Sequence, residues 1–254
     1  MITQLYTNGC SWTWGGALKD KNNKVFGVMK DSVAETDEES LERRLLLWPH
    51  HLGLRMGIQN TYNYSLGCGS NQRIFRTTLE WLLTQTLEDL HNTLAVIQFT
   101  EPSRFEFYYG NDRNYERERW AACNVLNIVN YNGKLNKNNY IDLRLQTYSP
   151  IEGIYSVISY MLALSKLFET FGLNSYYFWF MRNGDQTAIE NIIPSSFLSN
   201  VIHIPDDGYN RVGNIVDNVG NVMYDYHPSE KGHMQIAEII HSEINKRNII
   251  NNNL

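Results

Sequence analysis

Four short, mostly apolar runs recur along this chain, Ile2 to Thr7, Leu94 to Phe99, Tyr176 to Met181 and Val201 to Ile204, and Thr61 to Ser65 reads as a further strand, second in order. Between them, apolar residues fall at helical spacing. Ser70 can cap a helix through about Thr86, with Ile74, Thr78, Trp81, Leu82 and Gln85 on one face. Pro49 suits the start of a brief helix from Trp48 to Met56. Ile154, Val157, Ile158, Met161, Leu164 and Phe168 trace a long helix that Gly172 can end. Met234, Ile236, Ala237, Ile240 and Ile244 place another after Pro228. Apolar runs of strand length suit strands buried on both faces, and strands alternating with helices imply a parallel sheet with helices on each side. The expected fold class is therefore α/β, a three-layer α/β/α sandwich.

A chain of 254 residues can bury most of its apolar surface in one core, so a single domain over 1–254 is expected. The segment from 104 to 149 breaks the pattern with aromatics, asparagines and mixed charge, and reads as an insertion with one helix at most. With 43% hydrophobic and only 19% charged residues, the composition excludes a disordered chain. A net charge near −5 argues against a nucleic-acid or anionic-membrane partner. Three cysteines do not make a secreted disulfide framework. The chain enters a strand almost at once, with no signal peptide, and no stretch reads as a membrane span, so a cytoplasmic location is expected.

Chemistry-bearing residues gather near the two ends. The first strand runs into Gly9-Cys10-Ser11, and Asp225-Tyr226-His227 stands just before the last helix. Serine, histidine and aspartate are the inventory for acyl transfer: a hydroxyl is a poor nucleophile until a base accepts its proton, and the base needs a group that orients it. In an extended segment residues i and i+2 share a side, which would let Asp225 reach His227. In a turned segment His227 would lean on a backbone carbonyl instead. The bland readings are a capping serine, a loop histidine and a buried, inert Cys10, although Cys10 could also be the nucleophile.

With these residues, the chain resembles the SGNH hydrolases, the GDSL-like esterases and lipases, whose four blocks contribute Ser, Gly, Asn and His. Gly9-Cys10-Ser11 is similar to the first block, Asp225-Tyr226-His227 to the last, and Asn63 to Asn71, through Gly69, to the second. Two blocks depart. After the third strand the chain reads Thr100-Glu101-Pro102-Ser103-Arg104 where the family has Gly-x-Asn-Asp, and the residue three before His227 is Tyr224 where the family has Asp. The resemblance implies a flavodoxin-like five-stranded sheet of order 2-1-3-4-5, with the active crevice beyond strands one and three. It implies Ser11, His227 and Asp225 as catalytic residues. It also implies oxyanion donors from the Ser11 and Gly69 N–H groups, with Asn71, Thr100, Ser103 or Arg104 as candidates for a third.

The remaining candidates point elsewhere. His50 and His51 are adjacent and cannot share one helix face, and His233 reads as packing within the last helix, so no metal is expected, and no cofactor. Arg104 could bind an anionic group or pair with Glu101 or Glu106. The expected function is a serine esterase acting on an O-acyl, foremost O-acetyl, ester of a carbohydrate or small molecule. The rivals are a glycan- or small-ligand-binding protein that keeps the fold without turnover, and a structural or assembly component.

Overall fold

A computed structural model describes residues 2–15, 18, 37–67, 69–108, 120–124, 147–180, 183–204 and 227–251. β1 (Gln4–Asn8) leads through Gly9 and Cys10 into one helical turn, α1 (Ser11–Trp14), which Gly15 ends at φ 86°. After α2 (Asp37–Leu45), α3 (Trp48–Met56) carries Pro49 in its first turn and stops at Gly57, φ 68°. β2 (Asn60–Asn63) follows. Ser70 caps α4 (Asn71–Leu82) by accepting from the Arg73 N–H at 3.1 Å. That helix ends four residues earlier than its apolar spacing suggests, because Thr86 and Asp89 form a capping box that starts α5 (Leu87–His91).

β3 (Thr93–Thr100) is buried along its whole length. In the 104–149 segment the chain forms an antiparallel pair, β4 (Arg104–Tyr108) and β5 (Trp120–Asn124), where one helix at most was expected. Residues 109–119 and 125–146 of that segment lie outside the described residues, and α6 (Pro150–Thr170) follows. Gly172 at φ 65° ends α6 in a Schellman arrangement, its N–H on Glu169 O and the Leu173 N–H on Phe168 O. By length and composition alone α6 could cross a membrane, which corrects the expectation of no such stretch. Here its Val157, Met161, Leu164 and Phe168 are core residues. β6 (Asn174–Phe180), α7 (Asn183–Ile192), α8 (Ser195–Leu198) and α9 (Glu230–Asn251) complete the order.

The main sheet is parallel, in the order β2-β1-β3-β6. Among the described residues the expected fifth strand is a single parallel bridge, Val201 to Tyr177. Period-two alternation divides β3 between two cores. Ala95, Ile97 and Phe99 join Tyr6, Ile74 and the α6 residues on one face; Leu94 and Val96 join Trp48, Leu52, Ile236 and Ile240 of α3 and α9 on the other. The result is a three-layer α/β/α sandwich whose parallel strands all deliver their carboxyl ends to one edge.

Candidate active site

Asn8, Ile97 and Phe180 are near the carboxyl ends of their strands, so the loops after β1, β3 and β6 open at the same edge. Ser11 is the first residue after the β1 turn and is 8% exposed. Its N–H is one of the orphan donors of a first helical turn, with no acceptor among the described residues. His227 enters the same place from the segment before α9, and its Nε2 stands 2.9 Å from Ser11 Oγ. With the ring proton on Nδ1, Nε2 accepts from the serine hydroxyl. Asp225 lies outside the described residues.

The segment after β2 is laid across the nucleophile turn. Leu66 N–H donates to Gly9 O at 3.3 Å, and Gly69 N–H donates to Leu66 O at 3.0 Å. A Cβ on Gly69 would stand 3.1 Å from Leu66 O and 3.2 Å from Gly9 O. Close backbone approach, and not a positive φ, therefore calls for glycine there.

Asn71 spends its side chain on the loop after β3. Its Oδ1 accepts the Thr100 N–H at 2.8 Å, and its Nδ2 donates to Thr100 O at 2.7 Å. The Thr100 hydroxyl is buried and has no hydrogen-bond partner among the described residues. Ser103 is buried, and the Arg104 Nε lies 3.5 Å from Glu101 Oε2. Glu106, the other partner weighed for Arg104, pairs instead with Arg76. Cys10 is a free thiol, buried among core residues.

Four residues that sequence reasoning did not assign to the site surround this turn. Gln98 Oε1 accepts the Cys10 N–H at 3.1 Å and the Thr13 hydroxyl at 2.7 Å. Trp48 Nε1 donates to Thr13 Oγ1 at 3.3 Å, while the Trp48 N–H donates to His233 Nδ1 at 3.3 Å. His233 is fully buried, and desolvation, with His51 and His227 nearby, pushes its pKa down to about 3. It is a neutral acceptor within the fold. The one signal in the sequence was Gln98, a polar residue inside an apolar run.

A groove of about 660 Å3 runs between α2, α3 and β2, lined by Leu41, Leu45, Leu54 and Ile58; neither Ser11 nor His227 lines it. The paired Ser and His outweigh cavity size in locating chemistry, because reaction needs groups within hydrogen-bond reach.

One family model matches the chain, over residues 31–250; its description is "Family of unknown function (DUF6071)". It includes the His227 segment and not the Ser11 turn. No curated protein matches the sequence. Among solved structures, the lipase Lip_vut3 from a goat rumen metagenome is similar at a TM-score of 0.50 and 11% identity, over 96% of this chain and 97% of that one. A member of the lipolytic protein G-D-S-L family from Veillonella parvula DSM 2008 is similar at 0.45 and 12%, over 96% of each chain. A carbohydrate esterase family 2 enzyme with a carbohydrate-binding domain, from Corynascus thermopiles (Myceliophthora fergusii), is similar at 0.48 and 13%, over 96% of this chain and 66% of that one. At such identities the likeness to the rumen lipase concerns architecture alone: the fold is of the SGNH-hydrolase type.

Proposed function

This chain belongs to the DUF6071 family of unknown function, and we propose that it is a serine hydrolase of O-acyl esters, foremost O-acetyl esters of a carbohydrate or related small molecule. The observation that carries the reading is the 2.9 Å contact between Ser11 Oγ and His227 Nε2. As Oγ attacks the ester carbonyl carbon, His227 takes the hydroxyl proton at Nε2 and then gives it to the departing alkoxide. Water, activated by the same nitrogen, frees the acid from the acyl-serine. Asp225, two residues upstream, is our candidate to orient the ring through Nδ1.

The carbonyl oxygen becomes an anion and needs donors aimed at it. We assign that role to the Ser11 N–H and, once the 66–69 turn releases it, to the Gly69 N–H. Ser103 and Arg104 are the candidates for a third donor, from the loop after β3. Each such donor is worth about 10²–10³ in rate. The polar and aromatic 104–149 segment, which begins beside that loop, favours a carbohydrate over a lipid chain.

A second reading has one observation in its favour: Gly69 N–H is engaged by Leu66 O, which suits a protein that holds a ligand in the crevice without turnover. A fluorophosphonate, which reacts with activated serines, separates the two. Covalent labelling that maps to Ser11 and vanishes in Ser11→Ala supports the hydrolase. No labelling, under conditions that label a known serine esterase, leaves the binding protein.

A further inference from the structure

β3 is a buried strand of the central sheet, yet it carries an amide at Gln98, fully buried on the face of Leu94 and Val96. The amide uses its whole hydrogen-bonding capacity. Oε1 accepts from the Cys10 N–H at 3.1 Å and the Thr13 hydroxyl at 2.7 Å; Nε2 donates to Cys10 Sγ at 3.2 Å and Phe99 O at 3.0 Å. Three of these four bonds go to the turn that carries Ser11. A Cβ on Gly9 would stand 2.6 Å from Gln98 Oε1 and 2.5 Å from Thr13 Oγ1, so the turn is shaped to let the amide lie against it.

From Thr13 the bonds continue. Trp48 Nε1 donates to Thr13 Oγ1, and the Trp48 N–H donates to His233 Nδ1, both at 3.3 Å. His233 sits in the first turn of α9, its N–H on Ser229 O, directly after the segment that presents His227. One chain of buried hydrogen bonds thus runs from the serine turn to the histidine segment. Buried hydrogen bonds rigidify what they join where the groups are satisfied; the Gln98 amide is, while His233 Nε2 at the far end has no partner among the described residues.

We propose that Gln98 is the positioning residue of the nucleophile: through Cys10 and Thr13 its amide sets where Ser11 Oγ stands relative to His227 Nε2. The assignment rests on the hydrolase reading. It needs no contact between Gln98 and substrate, so its loss lowers the chemical step and leaves substrate binding alone.

The test uses the full chain, the rate of fluorophosphonate labelling, and kcat and KM on a short activated ester. Gln98→Met keeps the volume and removes the amide; Thr13→Val removes only the hydroxyl, and Thr13→Ser restores it. We expect labelling and kcat to fall about 10–100-fold in Gln98→Met and Thr13→Val, with KM within about twofold and Thr13→Ser near wild type. A folded Gln98→Met or Thr13→Val that labels at the wild-type rate overturns the assignment, as does a Thr13→Ser as slow as Thr13→Val. If Gln98→Met does not fold, the Thr13 pair decides. A wild-type protein that does not label removes the hydrolase reading and this assignment together, whereas equal labelling of wild type and variants removes the assignment alone.

Discussion

Asn71 pairs with the backbone of Thr100 on both of its polar atoms, 2.8 Å at Oδ1 and 2.7 Å at Nδ2. The start of α4 is thereby locked to the end of β3, where the crevice opens. Asn71→Asp keeps the acceptor for the Thr100 N–H but turns the donor into a second acceptor facing a carbonyl. It should cost about 1–3 kcal/mol of stability, read as a shifted urea midpoint. An unshifted midpoint would mean that the loop is held by other contacts.

Ser11→Ala and His227→Ala each remove chemistry from the crevice without emptying a core. Turnover of a short activated ester should fall by about 10³-fold or more in both, with unfolding midpoints close to wild type. Activity surviving in Ser11→Ala would place the nucleophile elsewhere, Cys10 first.

Gly9→Ala sets a methyl against Thr13 Oγ1 and Gln98 Oε1, at 2.5 and 2.6 Å before any adjustment. Gly184→Ala in α7 meets nothing within 4 Å and serves as the control. The first should lose most ester turnover; the second should be neutral or stabilising by about 1 kcal/mol. Equal activity in the two variants would show that the turn can move aside.

Acid should weaken the fold through His233. The unfolded chain takes up this proton near 6.5, while burial holds the folded value down to about 3. Between those values the unfolded state binds more protons, so stability falls as pH falls, by up to about 1.4 kcal/mol per pH unit. His51, lowered by burial and by His50, acts in the same direction. His233→Asn offers an oxygen to the Trp48 N–H and carries no such proton. Urea midpoints at pH 7 and 4.5 should therefore lie closer together in the variant, and an identical spacing would assign the acid loss to other groups.

Glu106, whose side chain is 1% exposed, takes two bonds from Arg76, 2.7 Å from Nη2 and 3.1 Å from Nε, and so ties β4 to α4. Glu106→Ala removes both of these acceptors from the guanidinium, though water reaches its 22% exposed side chain. A loss of about 1–3 kcal/mol is expected in denaturant unfolding. A loss below that range would mark the pair as replaceable by solvent.

Much of the layering was legible in local pattern. The α3 segment and the apolar core of α6 follow from Pro49, Gly172 and the spacing of Ile154 to Phe168, because backbone caps and helical period act over a few residues. The strand runs at β1, β3 and β6 were visible for the same reason. The β4–β5 pair was not, since an antiparallel register depends on a partner strand whose pairing local sequence does not encode. The early end of α4 was missed because the Thr86 and Asp89 cap competes with a continuing apolar stripe.

By itself the sequence determined the strand runs of β1, β3 and β6, the helical stretches of α3, α4, α6 and α9, and the identity of Ser11 and His227 as chemically apt residues at opposite ends. The tertiary structure decided that these two stand 2.9 Å apart across 216 positions, that Asn71 serves Thr100, and that Gln98 reaches Cys10 and Thr13. Periodicity and capping report interactions along the chain; hydrogen bonds between distant side chains exist only once parallel strands have brought their ends to one edge.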